Sequence, residues 1–230
     1  MTESARAGGG APQAPAVSFR PYAPGDIPAC ARLARDAWPA GPSIASKELE
    51  LAGMEGYMQY SLDSSNWSEV ACTDEGMVGF LFGRIDGLPA GPPPERGLLG
   101  ELPSLLSSIL DHDRREPRML GFLWSLAMTE FKVRVNTPES DAAVEMFIVD
   151  AAWRGRGVGT TLLDRFLKDA RDAGARRVTV YTDELMSNWR FYEGRGFTRV
   201  ATFHDNITSH YSGSPARGII FTMDLKPSEV

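Results

Sequence analysis

Several things that commonly carry chemistry are scarce in this chain. It has only two cysteines in 230 residues, Cys30 and Cys72, and its three histidines do not cluster. A disulfide framework needs a set of paired cysteines, and a zinc site needs Cys or His ligands at short spacing, so neither is supported. Both cysteines are expected to be apolar fillers, and no metal is expected. Positive charge is also short, with a net charge of -6 and a pI near 5.2. Binding a nucleic-acid backbone requires a basic face, which argues against nucleic acid as a partner, whereas a cationic small molecule or an exposed amine is easily accommodated. No apolar run approaches the roughly 18 residues of a membrane span. The first residues are Gly, Ala and Pro where an export signal would be basic and then apolar, so a cytoplasmic location with no membrane partner is the expectation.

What is present is enough apolar content, 43%, for one sizeable core. Met1 to Ala16 is too poor in large apolar groups to order itself and is expected to be a flexible tail. Residues 17–230 then form a single domain. Val17 to Tyr22 suggests a strand. The Pro24-Gly25-Asp26 turn leads into a helix with Ile27, Cys30, Leu33 and Ala34 on one stripe. A second helix is expected from about Ile44 to Ser61, then strands at Glu69 to Thr73 and Met77 to Ile85 joined at Asp74-Glu75-Gly76. The prolines of Gly87 to Gly97 break the pattern. Leu98 to about Val135 is mainly helical, so an insertion spans about 87–135, serving either as scaffold or as a wall over an acceptor site.

Ala142 to Val149 is nearly continuously apolar, the mark of a central strand covered on both faces, with Glu145 as the exception. Next comes Arg154-Gly155-Arg156-Gly157-Val158-Gly159, and a helix whose Val158, Leu162, Leu163, Phe166, Leu167 and Ala170 share one face, ending at Gly174. Strand, glycine loop and helix in that order make an anion cradle. The first backbone N–H groups of a helix have no partner inside it and lie at the positive end of its dipole, which suits a pyrophosphate. A dinucleotide fingerprint would need a third glycine where Thr160 stands, and a Walker loop would need Gly-Lys-Ser/Thr. Arg177 to Thr182 forms the next strand, Asn188 to Glu193 a short helix, and Phe197 to Phe203 and Gly218 to Leu225 the last strands.

Two separated motifs now agree. Arg154-x-x-Gly157-x-Gly159 after a strand, followed by Asn188-x-x-x-Tyr192-Glu193-x-x-Gly196-Phe197, resembles the GNAT superfamily of acyl-CoA-dependent N-acyltransferases. The resemblance is strongest from Ala142 to Thr198. It implies an α/β fold of the α+β mixed-sheet kind: a mostly antiparallel central sheet with a splayed central strand pair, flanked by helices, with the helical insertion added. It also implies acetyl-CoA as acyl donor, no metal, and an amine acceptor, either a small molecule or a peptide; a homodimer is left open. Backbone N–H groups of Arg154, Gly155, Arg156, Gly157, Val158, Gly159 and Thr160 would hold the pyrophosphate, with the arginines adding charge-assisted contacts. Phe147, Ile148 and Val149 would pair with the amides of the pantetheine arm.

The chemistry nominates the remaining residues. An alkylammonium of pKa about 10.4 is neutral in only roughly one molecule in a few thousand at pH 7, a deficit of about 4.6 kcal/mol. A carboxylate on an apolar central strand should have a raised pKa, which makes Glu145 the candidate base, acting directly or through water; the alternative is a structural pairing with Lys132 or Arg134. A thiolate of pKa about 8.5 leaves most readily if a phenol of pKa about 10 donates to it, and the resemblance assigns that role to Tyr192. Asn188 would contact pantetheine or substrate, or else cap the helix. A backbone N–H of Phe147 or Val149 would meet the developing oxyanion. Asp205, His204, His210 and Tyr211 read as ordinary strand-end and loop residues, with an amine pocket formed with Glu184 as the functional alternative. Trp38, Trp67, Trp124 and Trp189 read as packing rather than an aromatic wall. The expected activity is transfer of an acetyl or short acyl group to a primary amine in a ternary complex. The other readings are an idle acyl-CoA sensor, or a protein acetyltransferase acting on an N-terminus or lysine.

Overall fold

The computed structural model describes residues 15–38, 47–89 and 117–226. Residues 1–14 of the expected tail and 90–116 of the insertion lie outside the described residues. Seven strands form one sheet: β1 (Ser18–Pro21), β2 (Trp67–Thr73), β3 (Gly76–Ile85), β4 (Ala142–Val149), β5 (Arg177–Asp183), β6 (Thr198–Asp205) and β7 (Ala216–Asp224), in the order β1-β2-β3-β4-β5-β7-β6. Every neighbouring pair is antiparallel except β4 with β5. This is the mixed, mostly antiparallel sheet expected. A parallel pair cannot be joined by a tight turn, and the β4–β5 connection accordingly carries a helix.

Helices cover both faces. On one, α1 (Ile27–Ala37) and α2 (Lys47–Asp63) bury Cys30, Ala31, Leu33, Ala34 and Met58 against Val70, Phe80, Phe82, Met146 and Ile148. On the other, α4 (Val158–Asp172) lays its apolar stripe on Leu81, Val144, Val178, Val180 and Phe221. Side chains at 3.6-residue spacing meet alternate side chains of the strands, so each helix face finds one sheet face. Two polar links fix the tilt of α4. Arg165 donates to Glu69 of β2 through Nε at 2.5 Å and a terminal nitrogen at 2.7 Å, and Trp67 Nε1 donates to Asp169 at 2.8 Å.

Two further helices pack together against β6 and β7. One is α3 (Pro117–Asn136), the described half of the insertion; the other is α6 (Asn206–Ser212), between β6 and β7. The segment holding α6 reads as a loop in the sequence. It is a helix because Asp205 caps it, accepting from the Thr208 N–H at 3.0 Å, and Gly213 ends it at φ +66°. The short helix α5 (Arg190–Gly194) also starts later than expected, so Asn188 precedes it and does not share a helical face with Tyr192.

Candidate active site

Strands β4 and β5 separate where the site should be. Their parallel register runs Ala142↔Val178, Ala143↔Thr179, Val144↔Val180 and stops there, although both strands continue, to Val149 and Asp183. The splayed pair is therefore present as a fork that opens after Val144 and Val180.

The bend has a local cause. Opposite β3, Phe82 pairs with Met146 while Gly83 pairs with Val144, so Glu145 is an extra residue, a β-bulge. The bulge changes the phase of the strand. Ala142 and Val144 face the α4 layer, whereas Met146 and Ile148 face α1 and α2. It also sets which backbone groups are free. The Asp150 N–H donates to Val78 O at 2.9 Å, so by alternation Ile148 and Met146 bond to β3, while Phe147 and Val149 turn their N–H and C=O groups toward the fork. Of the three residues expected along the cofactor arm, Phe147 and Val149 face the gap, and the backbone of Ile148 is occupied by the β3 ladder.

Below the fork lies the glycine loop. Gly155 and Gly157 have φ of +73° and +84°, with Gly157 as the N-cap of α4, and a Cβ on either would meet nothing within 4 Å. The conformation, rather than crowding, is what calls for glycine. The first helical acceptor is Gly157 O, taken by the Thr161 N–H at 2.9 Å, which leaves the N–H groups of Val158, Gly159 and Thr160 without a helical partner. Gly159 is constrained differently, since a Cβ there would come within 3.3 Å of Phe147 Cζ and 3.4 Å of Val149 Cγ2. It brings the helix start close to the open strand. Both loop arginines are exposed: Arg154 Nε donates to Val149 O at 3.1 Å, and the Arg156 guanidinium lies 4.9 Å from the Trp153 ring centre.

Tyr192 sits on the α4 side beneath the fork. It is 8% exposed, and its ring lies 5.8 Å from Phe221, which pairs with Val180, the last β5 residue before the strands part. Phe191 at 5.5 Å and Phe197 at 5.7 Å complete its surroundings. Burial raises its pKa well above the usual phenol range, so it stays protonated, and its hydroxyl makes no hydrogen bond to another described residue. Asn188 is exposed; its carbonyl accepts from the Phe191 N–H at 2.9 Å, and no side-chain cap forms at this end of α5.

Glu145 lies across the fork on the α2 face, reached by solvent yet ringed by protein. Desolvation raises its pKa above the ordinary carboxylate range, Arg84 pulls it down, and Glu130 of α3 pushes it up. The structural pairing considered for it does not form: Lys132 donates instead to His204 O at 2.9 Å and Asn206 Oδ1 at 2.6 Å, and among the described residues Glu145 has no ion-pair partner. Arg84 is held by Asp86.

The residue opposite Glu145 in the continued register is Tyr181, and it escaped the sequence reading. Its hydroxyl donates to Asp205 Oδ2 at 2.6 Å and its ring stacks on Phe203 at 5.9 Å. Asp205, 0% exposed, also accepts from Thr129 Oγ1 of α3 at 3.2 Å and Thr208 Oγ1 at 2.7 Å. It is thus a buried junction between α3, β5 and α6, not an open amine contact. Glu184 is likewise engaged, by Arg199 at 2.8 Å. The tryptophans do not gather into a wall. Trp67 lies in the α4 core, Trp189 is stacked between Arg190 and Arg199, and Trp124 is 64% exposed on α3.

The forked parallel strand pair thus lies above an open helix N-terminus. Residues 32–197 match the model of the Acetyltransferase (GNAT) family, so the chain belongs to that family. Solved structures of similar fold include Ard1 from Thermoplasma volcanium (16% identity, TM-score 0.51, 91% of this chain and 98% of that one). A GCN5-related N-acetyltransferase from Kribbella flavida is similar at 18% identity, TM-score 0.51, over 91% of this chain and 98% of that one. Salmonella typhimurium yncA, with its cofactor acetyl-CoA, matches at 15% identity and TM-score 0.50 over 94% of this chain and 97% of that one. At such identities the likeness concerns the fold. No curated protein sequence matches the chain. Among the described residues no helix is long and apolar enough to cross a membrane.

Proposed function

We propose that this protein transfers an acetyl or short acyl group from acetyl-CoA to a primary amine by direct attack in a ternary complex. The fork after Val144 and Val180 is the observation that carries the reading. An open strand edge in a cleft needs partners for its backbone groups, and the amides of an acyl-CoA arm supply them at Phe147 and Val149. The N–H groups at the start of α4, with Arg154, Gly155, Arg156, Gly157, Val158, Gly159 and Thr160 around them, suit a pyrophosphate. When bound, acetyl-CoA supplies an activated acyl carbon and a thiolate leaving group.

Every remaining step belongs to the chain. Glu145 takes the proton of the incoming ammonium, directly or through water, and its raised pKa brings it nearer the amine it must deprotonate. A backbone N–H of Phe147 or Val149 meets the negative charge that develops on the acyl oxygen. Tyr192, kept protonated by burial, donates to the departing sulfur. Asn188 contributes a contact to the pantetheine arm or the substrate. The test is thiol release from acetyl-CoA over a panel of diamines, aminoglycosides, amino acids and peptides. Turnover with a particular acceptor, lost in Tyr192→Phe, supports the reading. Tight acetyl-CoA binding with no thiol release for any amine would point instead to a sensor.

A further inference from the structure

Helix α4 starts at the candidate pyrophosphate cradle and, further along, seats a side chain in the strand that faces the bulge. Phe166 lies six residues past Thr160, about 9 Å along the helix axis. Its ring is fully buried and fills the space where a side chain on Gly83 of β3 would begin. A Cβ on Gly83 would come within 3.0 Å of Phe166 Cζ, closer still to Cε2, and within 2.9 Å of Ala143 O. Non-bonded carbons settle at about 3.5–4.0 Å, so the notch admits the ring only because it holds no methyl group.

The notch lies at a particular place in the sheet. Gly83 pairs with Val144 while Phe82 pairs with Met146, so Gly83 marks the last regular pair before the extra residue, Glu145. Val144 is also where the pairing of β4 with β5 ends and the fork opens. On its other side Gly83 pairs with Trp67 of β2, whose ring meets Phe166 edge-on at 5.2 Å and whose Nε1 donates to Asp169. Arg165, next to Phe166, is bound to Glu69 by two hydrogen bonds. One helix, fixed at this point by apolar and polar contacts, thus spans two subsites: the N–H groups of Val158 to Thr160, and the closed end of the fork.

We infer that Phe166, seated in the Gly83 notch, sets the spacing between the pyrophosphate cradle and the fork, so that a donor held at one subsite reaches the other in register. This rests on the acyl-CoA reading of the same cleft. Phe166 and Gly83 are positioning residues and act through α4. An acyl-CoA is a two-part ligand, and its affinity exceeds that of either part only while the two subsites stand at a separation its arm can span. A shift of α4 on the sheet leaves the cradle able to hold a pyrophosphate and weakens the binding of the whole cofactor.

The experiment compares two probes by calorimetry: acetyl-CoA, and ADP, which carries the pyrophosphate without the pantetheine arm. The unaltered protein should bind acetyl-CoA at least about tenfold more tightly than ADP. Gly83→Ala, which displaces the ring, should weaken acetyl-CoA at least about tenfold and leave ADP within about twofold. Leucine lacks the ring atoms that crowd the notch, so Gly83→Ala combined with Phe166→Leu should recover part of that loss. Should Gly83→Ala fail to fold, Phe166→Leu alone decides, with acetyl-CoA weakened severalfold and ADP unchanged. Parallel loss of both ligands in a folded variant, or undiminished acetyl-CoA binding, would overturn the inference and leave the acyl-CoA reading standing. A double variant that binds acetyl-CoA no better than Gly83→Ala would overturn it as well. If the unaltered protein bound acetyl-CoA no more tightly than ADP, the fork would not be the site of the arm, and the reading itself would fall together with the inference.

Discussion

At the scale of single residues, the proposed acyl transfer asks two side chains on opposite sides of one fork to do opposite things with a proton. Tyr192 must keep one until the sulfur needs it. With no hydrogen bond of its hydroxyl to lose among the described residues, Tyr192→Phe should leave stability within about 1 kcal/mol and acetyl-CoA affinity unchanged, while lowering kcat about a hundredfold, the lower end of general-acid contributions. Stopped-flow thiol release and urea unfolding of the same variant separate these effects. Glu145 must lose its proton, and its raised pKa has a signed consequence. A carboxyl that holds its proton more tightly when folded contributes most stability below the ordinary carboxylate range, and that contribution is lost as pH rises through the folded pKa. Glu145→Gln should therefore raise the urea midpoint near pH 8, show little gain below about pH 4, and remove the acidic limb of the pH profile of kcat/KM. The sequence made Glu145 conspicuous as the one charge in an apolar strand. It could not reveal the bulge, because that depends on how Phe82 and Gly83 pair across a neighbouring strand.

At the scale of elements, the most legible parts were those whose signals are local. The β4 strand, the glycine loop and α4 follow from an apolar run, two glycines and a 3.6-residue stripe. The left-handed backbone at Gly157 makes a prediction here. Gly157→Ala should cost about 1–2 kcal/mol in conformational strain at φ +84°, and because it tilts the N–H groups of Val158 to Thr160, acetyl-CoA affinity should fall at least about tenfold. Calorimetry with acetyl-CoA measures the affinity, and an unchanged value would remove the loop from the binding surface. The element that stayed hidden, α6, is seven residues long, too short to carry a periodic apolar stripe. Its local signal was Asp205 three residues before Thr208, a capping pattern in a stretch that otherwise reads as strand end and loop. Asn188 was displaced for a related reason: a five-residue helix offers too few positions for spacing to settle where it begins.

At the scale of the whole molecule, the cleft is assembled by pieces that the chain keeps far apart, and Asp205 joins them. Thr129 is 76 positions from it and Tyr181 is 24, yet both donate to its carboxylate in a site with no solvent contact. Such long-range pairings carry no sequence signature, which is why Tyr181 escaped the sequence reading until the fold brought it and Thr129 to the same carboxylate. Removing the carboxylate leaves the Tyr181, Thr129 and Thr208 hydroxyls and the Thr208 N–H buried with their acceptor gone, so Asp205→Ala should cost roughly 3 kcal/mol or more in urea unfolding. Thr129→Val, which removes a single donor and an acceptor for two N–H groups, should cost about half as much. The more telling measurement is kinetic. Because α3 packs against α6, β6 and β7 while the glycine loop lies at the start of α4, loosening α3 should raise KM for the amine severalfold and leave the acetyl-CoA dissociation constant where it was. A general loss of structure would weaken both together. If Thr129→Val changed the two constants in parallel, α3 would be scaffold for the whole domain and not a wall of the acceptor cleft.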